Sequence, residues 1–314
     1  CHRLMAMGFS ESDVISLLQQ LFATSDSRIH VGIGDDAAVV NGAAQILLTS
    51  DMAVEGTHFQ RAWSTPFDIG RKITAANIAD VIAMGGQCQY LTAALCLTGE
   101  EELSWIESLA LGMRHEAALV GAHIVGGDIA RGPLVVISMA ATGFVQEPIL
   151  RSGATIGDQI FISSLPGWSA AGLELLQREV SLNSPLADKA LSEFSAPTLD
   201  YEVNYQRATA LADVSDSLLT QAEQIAHDSQ VALHLNLAAI EASTEFSQLN
   251  ELAQEVGGDI WSWILGGGED HIFLATGREL AGICIGEVEQ GAGVKGVEMK
   301  KTPVSWSHFP RSKK

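Results

Sequence analysis

The first half of the chain alternates amphipathic stretches with short apolar runs. Apolar residues at helical spacing predict three helices, over residues 11–21, 64–86 and 101–121. Continuous apolar runs, which are typical of buried strands, predict four strands, over residues 45–51, 90–97, 122–128 and 134–144. This alternation of strands and helices predicts a mixed α and β fold class.

A polar, turn-rich stretch over residues 145–158 interrupts this pattern. After it, the strand QIFIS, the turn LPGWS and the helix AAGLELLQRE begin a second series of elements. A length of 314 residues is typical of two domains. We therefore predict an N-terminal domain over residues 1–148 and a C-terminal α/β domain over residues 149–314.

A carboxylate interrupts the apolar stripe of the second predicted helix. Asp80 shares that stripe with four apolar residues, which are Ile69, Ile73, Ala76 and Met84. A buried carboxylate is costly unless it is paired with a cation or bound to a metal ion. Two interpretations of Asp80 therefore stay open: an ion pair with a nearby arginine, such as Arg71 or Arg131, or a metal site.

Four apolar segments are followed directly by an aspartate: HVGIGDD, ILLTSD, HIVGGD and ALADVSD. Each aspartate alone is most simply a turn or cap residue. Together they predict acids at the ends of strands, which in α/β folds face one ligand-binding crevice. Two carboxylates about 5 Å apart repel by roughly 3 kcal/mol at an effective dielectric constant near 20, so such a cluster takes up protons or binds cations. Oxygen ligands without Cys or His favour magnesium, which shares its coordination with substrate phosphates.

Composition and charge restrict the class of protein. The formal net charge is −20, from 38 acidic and 18 basic residues, which argues against nucleic-acid and anionic-membrane partners. The chain is 47% hydrophobic but has no run of about 18 apolar residues, so we expect a soluble globular protein without a membrane span.

The cysteines and the opening segment indicate the compartment. Four cysteines without CxxC spacing favour reduced thiols in a cytoplasmic protein. The opening CHRLMAMGFS lacks the order of a secretory signal. Met7 is the expected native start, with residues 1–6 an expression remnant, and a lipid-bearing Cys1 is the alternative.

The sequence lacks several common catalytic motifs but contains three glycine-rich segments. The sequence has no GxxxxGK[ST], GxSxG or HExxH. The pieces GIGDD, GGD and GGGED can bring backbone close to a phosphate or a metal ion, although each is also an ordinary turn sequence. With the predicted magnesium site, they indicate nucleotide chemistry that does not use a P-loop.

Seven motifs in order carry a family resemblance: GIGDDAAVV, LLTSDMAVEGTHF, RKITAANIADVIAMGG, GGDIARGP, RSGATIGDQIFIS, DVSDSLL and GGGED. By these motifs the chain resembles the thiamine-monophosphate kinase family, of the aminoimidazole-ribonucleotide-synthetase superfamily, from about Gly8 to Phe309. The resemblance implies ATP-dependent phosphorylation of thiamine monophosphate to thiamine diphosphate, by direct in-line transfer at an acidic site with several magnesium ions. It also implies a two-domain fold whose N-terminal half binds ATP and metal and forms a β-barrel across a homodimer.

The resemblance assigns roles to residues by motif. The implied metal ligands are Asp35, Asp36, Thr49, Ser50, Asp51, Asp80, Asp128, Asp213 and Asp216. The implied ATP contacts are Gly127, Asp128, Arg151 and Ser215. The implied thiamine monophosphate contacts are His58, Glu269 and Trp306. The expected catalytic residues are Asp36, Asp51, Asp80, Asp128, Asp213 and Arg151.

Three residues depart from the usual family motifs: Ser217 replaces a glycine, Ile129 a threonine and His271 a tyrosine. None of them removes an implied magnesium ligand, so we expect an active enzyme. Three alternatives stay open: a superfamily enzyme acting on another small phosphate or carboxylate, a catalytically silent paralogue that binds nucleotide or thiamine phosphates, and a divalent-cation-binding protein. Product analysis would identify the first alternative, and ATP binding without turnover would identify the second. A melting temperature insensitive to ATP analogues would identify the third.

Overall fold

The computed structural model describes residues 11–31, 39–42 and 45–297. The chain divides into two compact units, each with its own main sheet. Unit 1 comprises Cys1–Ile82 and Gly86–Gln146, and unit 2 comprises Ala83–Gly85 and Glu147–Lys314. The assignment of ATP binding, metal binding and dimerisation to residues 1–148 stays a prediction.

Unit 1 is built from three helices and six strands in the part of the chain that the structure describes. The helices are α1 (Glu11–Leu21), α2 (Pro66–Ala83) and α3 (Leu103–Leu119). The strands are β1 (Ile29–Val31), β2 (Val39–Val40), β3 (Ile46–Val54), β4 (Gln87–Leu97), β5 (His123–Arg131) and β6 (Val136–Phe144). Strands β1 and β2 form a separate pair, and the main sheet has the order β3-β6-β4-β5, in which only β4 and β5 are parallel neighbours.

The main sheet of unit 1 has one buried and one exposed face. Side chains alternate between the two faces along each strand. On β6, Ile137 and Met139 point to the buried face and have no exposed surface. On the opposite face, the edge strand β3 exposes 52% of Ile46, 78% of Leu48 and 55% of Met52. An apolar strip of this kind on an edge strand is typical of a surface that another chain covers.

Helix α2 is buried on most of its surface, as the sequence predicts. Its first residue is Pro66, whose fixed backbone angle suits the first turn of a helix. Ile69, Ile73 and Ile78 are at most 4% exposed, whereas Asp80 is half-buried. Neither α2 nor any other helix within the described ranges combines the length and the apolar character needed to cross a membrane.

Unit 2 is a sheet flanked by helices. The strands are β7 (Gln159–Ile162), β8 (Ala210–Val214), β9 (Ala232–Leu235), β10 (Ile272–Gly277), β11 (Ile283–Glu289) and β12 (Gly293–Lys295). The helices are α4 (Trp168–Gln177), α5 (Pro185–Ser195), α6 (Leu218–Ser229), α7 (Leu237–Glu241), α8 (Thr244–Val256) and α9 (Ile260–Gly266). A short 3₁₀ helix, Arg151–Gly153, precedes them. The strand order is β12-β9-β11-β7-β10-β8, and all neighbours are antiparallel except β12 and β9.

The core of unit 2 lies on one face of this sheet. Ile160 and Leu274 from the strands, Ile225 from α6 and Ile264 from α9 belong to one buried cluster. Asp213 of β8 is paired in register with Phe273 of β10, and neither belongs to this cluster. Asp213 therefore points to the other face of the sheet.

The prediction that strands stop at their aspartates is wrong for β3 and β5, whereas β8 does end at Val214, before Asp216, and Asp35 and Asp36 lie outside the described residues. Strand β3 continues past Asp51 to Val54, and β5 continues past Asp128 to Arg131. The backbone of Asp51 is paired with Met139, and the backbone of Asp128 is paired with Ala94. A strand is extended by these backbone pairs, which do not depend on the polarity of the side chain. The mixed α and β fold class is confirmed.

Candidate active site

The predicted site residues fall into two groups, one in each unit. Thr49, Ser50, Asp51, His58, Asp80, Gly127 and Asp128 belong to unit 1. Arg151, Asp213, Ser215, Asp216 and Glu269 belong to unit 2. Asp35, Asp36 and Trp306 lie outside the described residues.

A hydrogen bond joins two predicted metal ligands of unit 1. Thr49 Oγ1 of β3 donates to Asp80 Oδ2 of α2 at 2.6 Å. Both residues are half-buried, so their oxygen atoms are only partly solvated. The two arginines considered as ion-pair partners of Asp80 are directed elsewhere: Arg71 donates to Glu116 at 2.7 Å, and Arg131 donates to the Thr98 carbonyl oxygen at 3.2 Å. The contact therefore brings a hydroxyl and a carboxylate together, as hard-cation sites require.

Strand geometry separates Ser50 from its two neighbours. Thr49 and Asp51 are half-buried, and Ser50 between them is exposed. Because successive side chains of a strand point to opposite faces, the Ser50 hydroxyl lies on the exposed face, and the side chains of Thr49 and Asp51 lie on the buried face. The structure thus groups Thr49 with Asp80 but not with the side chain of Ser50. The role of Ser50 as a ligand stays a prediction.

Gly127 and Asp128 occupy the edge strand β5. Gly127 is paired with Ala93, and a Cβ atom on Gly127 would lie 1.9 Å from the Ala93 carbonyl oxygen. Only glycine fits such an approach. Asp128 is exposed and its backbone is paired with Ala94, so its side chain points to the face opposite that of Asp51. The structure does not bring the carboxylates of Asp51 and Asp128 together.

His58 lies in the loop that follows β3, and its ring is held by the backbone. The Val54 N–H donates to His58 Nδ1 at 3.1 Å. Because Nδ1 accepts this bond, the ring proton of the neutral imidazole is on Nε2. His58 can thus donate from Nε2 to an anionic oxygen.

An arginine and two glutamates brace the same loop. Arg61 Nε donates to Glu55 Oε1 at 2.6 Å, and Arg61 Nη1 donates to Glu101 Oε1 at 3.0 Å. The bonds from Arg61 hold the pKa of the Glu55 carboxyl below its usual value. The sequence analysis missed this cluster, because no short spacing connects Arg61 with Glu101.

In unit 2, Asp213 is buried against a histidine. Asp213 is 2% exposed, and its Oδ2 lies 3.2 Å from His271 Nδ1. His271 is the residue that replaces the usual tyrosine of the family. In the tautomer with a proton on Nδ1, the imidazole donates to the carboxylate and fixes its orientation. The sequence showed the replacement but not the partner, which is 58 residues away.

The GGGED loop packs against the residues that follow β8. The Glu269 N–H donates to the Ser215 carbonyl oxygen at 2.7 Å, and the His271 N–H donates to the Val214 carbonyl oxygen at 3.0 Å. A Cβ atom on Gly268 would lie 2.6 Å from the Ser215 carbonyl oxygen. The predicted substrate residue Glu269 is therefore held next to the segment that carries Ser215 and Asp216.

Asp270 of the same motif has contacts that the sequence analysis did not predict. Its carboxylate accepts the N–H of Gly167 at 2.8 Å and the N–H of Ser169 at 3.0 Å. Burial raises the pKa of the Asp270 carboxyl to about 6, although both N–H donors act to lower it. Motif position singled out Glu269 alone, because the start of α4 is about one hundred residues away in sequence and gives no local signal.

Ser217, which replaces the usual glycine of the family motif, has a structural role in this chain. It is the N-cap of α6, and its Oγ accepts the Thr220 N–H at 3.1 Å. A serine cap of this kind stabilises a helix by about 1 kcal/mol relative to alanine. Ile129, the second departure, lies half-buried within β5.

Ser215 directly follows β8 in sequence, and Arg151 belongs to a 3₁₀ helix that packs near the start of β8, where a Cβ atom on Gly153 would contact the Thr209 carbonyl oxygen. Arg151 is exposed in the 3₁₀ helix, and its carbonyl oxygen accepts the Ser229 hydroxyl at 2.7 Å. Ser229 also accepts the Ala154 N–H at 3.1 Å. These bonds fix the backbone that carries the Arg151 guanidinium.

The chemistry of the donors fits a hard cation. The predicted ligands in the described ranges are carboxylates and hydroxyls, which favour magnesium over zinc or copper. In those ranges, no group of three or more His, Cys, Asp or Glu side chains is arranged to hold a metal ion. The donors of each unit are thus of the right type, without a completed coordination shell.

Comparisons with known proteins identify relatives over most of the chain. The N-terminal domain of the AIR synthase related protein family matches residues 34–145. The chain is 32% identical to the thiamine-monophosphate kinase of Aquifex aeolicus (strain VF5), over 96% of this chain and 100% of that protein. It is 36% identical to the thiamine-monophosphate kinase of Mycobacterium tuberculosis (strain ATCC 25618 / H37Rv), over 79% of this chain and 75% of that protein. The solved structure of AaThiL complexed with AMPPCP and TMP matches with a TM-score of 0.78 and 30% identity, over 95% of this chain and 97% of that one.

Proposed function

Because this chain belongs to the thiamine-monophosphate kinase family, we propose that it transfers the γ-phosphoryl group of ATP to thiamine monophosphate. The products are thiamine diphosphate and ADP. The observation that carries this proposal is the match, over 95% of the chain, to the structure of AaThiL complexed with AMPPCP and TMP. AMPPCP is an ATP analogue, and TMP is thiamine monophosphate. Direct phosphoryl transfer requires that both substrates bind to one protein, and this related protein binds an ATP analogue together with TMP.

We infer that magnesium ions take part and that oxygen donors of this chain hold them. In unit 1 the ligands are Thr49, Ser50, Asp51, Asp80 and Asp128, and in unit 2 they are Asp213 and Asp216. Asp35 and Asp36 belong to the same proposed set. Bound magnesium neutralises the charge of the phosphate groups. The Thr49–Asp80 hydrogen bond keeps two of these donors oriented without metal.

The remaining residues bind and orient the substrates. Gly127 leaves its backbone open to the ATP phosphates, and Arg151 offers a fixed positive fork to them. Ser215 completes the ATP contacts. His58 donates from Nε2 to the phosphate of thiamine monophosphate, and Glu269 and Trp306 bind the rest of that substrate.

No residue needs to remove a proton from the acceptor in this reaction. The nucleophile is a phosphate oxygen, which is already ionised near neutral pH. Phosphoryl transfer then depends on positioning and on neutralisation of charge. Every residue in the proposed set supplies one of these two effects.

Phosphorus NMR of the protein with ATP, magnesium and thiamine monophosphate tests the proposed reaction. We expect thiamine diphosphate and ADP to appear in equal amounts. If ATP stayed intact in the presence of all three components, the proposed kinase activity would be contradicted. A catalytically silent paralogue would then be the remaining interpretation. ADP formed with a different phosphorylated product would identify another enzyme of the superfamily.

We further propose that the protein is a homodimer in which the second copy covers the apolar strip on β3. The apolar strip of Ile46, Leu48 and Met52 on β3 supports this proposal, since covering it removes apolar surface from water. Continuing the sheet face across a second copy would give the β-barrel that the family resemblance implies.

Leu48→Asp should convert this dimer to a monomer. Burying a carboxylate at the centre of an apolar interface costs several kcal/mol, which weakens dimerisation by about 100-fold or more. Light scattering coupled to gel filtration measures the mass. Leu119→Asp is the matched control, because Leu119 on α3 is 53% exposed but lies outside the strip. A monomeric wild-type protein, or a Leu48→Asp dimer, would contradict the interface.

A further inference from the structure

Asp270 is a buried carboxylate that the proposed reaction does not use. It is 6% exposed, and it accepts two backbone N–H groups from the residues that begin α4, Gly167 and Ser169. These two bonds connect the GGGED loop with a part of the chain about one hundred residues earlier in sequence. Asp270 therefore ties the loop to a helix that has no residue in the proposed site.

The two residues beside Asp270 both have left-handed backbone conformations. Glu269 has a φ of 66° and His271 has a φ of 50°. A side chain in this region costs roughly 1 kcal/mol or more, and such conformations persist only where the surroundings enforce them. A single relaxation of φ at Glu269 would turn its side chain away from its present direction.

The loop is held from two sides. On one side, the Glu269 N–H bonds to Ser215 and the His271 N–H bonds to Val214, so the backbone is fixed against the end of β8. On the other side, the Asp270 carboxylate accepts the N–H groups of Gly167 and Ser169 at the start of α4. The left-handed residues Glu269 and His271 therefore lie between backbone bonds to the end of β8 and side-chain bonds to the start of α4.

We propose that Asp270 is a positioning residue for the acceptor substrate. Its two hydrogen bonds to the start of α4 hold Glu269 in the left-handed conformation and thereby direct the Glu269 carboxylate towards thiamine monophosphate. This inference rests on the proposed function, because it takes the contact between Glu269 and thiamine monophosphate as its premise.

The test compares the binding of two ligands by isothermal titration calorimetry. Asp270→Asn keeps the shape of the side chain but replaces one acceptor oxygen with an amide that cannot accept an N–H. We expect the Kd for thiamine monophosphate to rise about 10-fold or more, and the Kd for AMPPCP to change by less than about 3-fold. Equal losses for both ligands would indicate a general disturbance of unit 2 and would overturn the proposal.

A double-mutant cycle separates positioning from a merely structural role. If Asp270 acts through Glu269, then Glu269→Gln alone raises the Kd for thiamine monophosphate, and adding Asp270→Asn causes little further loss. Additive losses would overturn the proposal. Asp259→Asn is the matched control, because Asp259 caps α9 through the N–H groups of Trp261 and Ser262 without a contact to the loop.

Two further results keep the outcomes distinct. Thermal melting of Asp270→Asn shows whether the variant folds. If Asp270→Asn does not fold, Asp270→Ser retains one acceptor and is expected to show the same selective loss. Wild-type protein that binds AMPPCP but not thiamine monophosphate would refute the proposed function itself, whereas wild-type binding with unchanged Asp270 variants would refute the positioning role alone.

Discussion

Asp80→Ala is expected to lower kcat for phosphoryl transfer by about 10³-fold or more, and to leave the fold intact. The loss follows from the removal of a carboxylate that, in the proposed site, would hold a magnesium ion, whose charge neutralises that of the phosphate groups. We expect the fold to survive because Asp80 is half-buried, and the loss of its hydrogen bond with Thr49 costs about 1 kcal/mol net. Initial rates of thiamine diphosphate formation and thermal melting measure the two effects.

Asp68→Ala provides the matched control on the same helix. Asp68 lies in the first turn of α2, where its Oδ2 accepts the Thr65 hydroxyl at 2.6 Å. Its loss removes a charge and a local hydrogen bond, as in the Asp80 variant, but at the opposite end of the helix. We expect nearly wild-type turnover. Wild-type rates in Asp80→Ala, or equal losses in both variants, would disprove the magnesium role of Asp80.

Gly127→Ala is expected to destabilise unit 1 by about 3 kcal/mol and to lower turnover by about 100-fold. The new Cβ atom would lie 1.9 Å from the Ala93 carbonyl oxygen, so β5 would have to move away from β4. Asp128 would move with the strand, and a displacement of about 1 Å at a reacting site can cost about 100-fold in rate. Chemical denaturation and steady-state kinetics measure these effects.

Gly126→Ala is the control for this prediction. A Cβ atom on Gly126 would meet only the Thr92 Cγ2 atom, at 3.6 Å, which is an ordinary van der Waals distance. We therefore expect stability within about 1 kcal/mol of wild type and full turnover. If both alanine variants behaved alike, the close approach of β4 and β5 at Gly127 would not be the cause.

Local features of the sequence determined the elements and the family. The helical period over residues 11–21 predicts a helix that the structure places at Glu11–Leu21. The mixed α and β fold class is confirmed, and so is the resemblance to the thiamine-monophosphate kinase family, to which the chain is 32% identical over the full length of one relative. These predictions succeed because periodicity and motif order depend on neighbouring residues alone.

The ends of strands, and the faces to which their side chains point, were harder to predict from the sequence. An aspartate after an apolar run predicts a strand end, yet β3 and β5 continue through Asp51 and Asp128 because their backbones remain paired. The motif TSD likewise predicts three consecutive ligands. The side chains of β3 alternate between the two faces of the sheet, so Ser50 lies on the face opposite Thr49 and Asp51. Pairing partners and exposed faces depend on the whole sheet, not on one segment.

The sequence by itself therefore determined which residue types the site contains, and the tertiary structure decided which of them touch. Thr49 meets Asp80 across 31 residues, His271 meets Asp213 across 58, and Asp270 meets Gly167 across 103. No periodicity or spacing encodes such pairs, because they form only when separate strands and helices pack. For the same reason, the hydrogen bonds of Asp270 with Gly167 and Ser169, which we propose to position Glu269, could be found only in the folded chain.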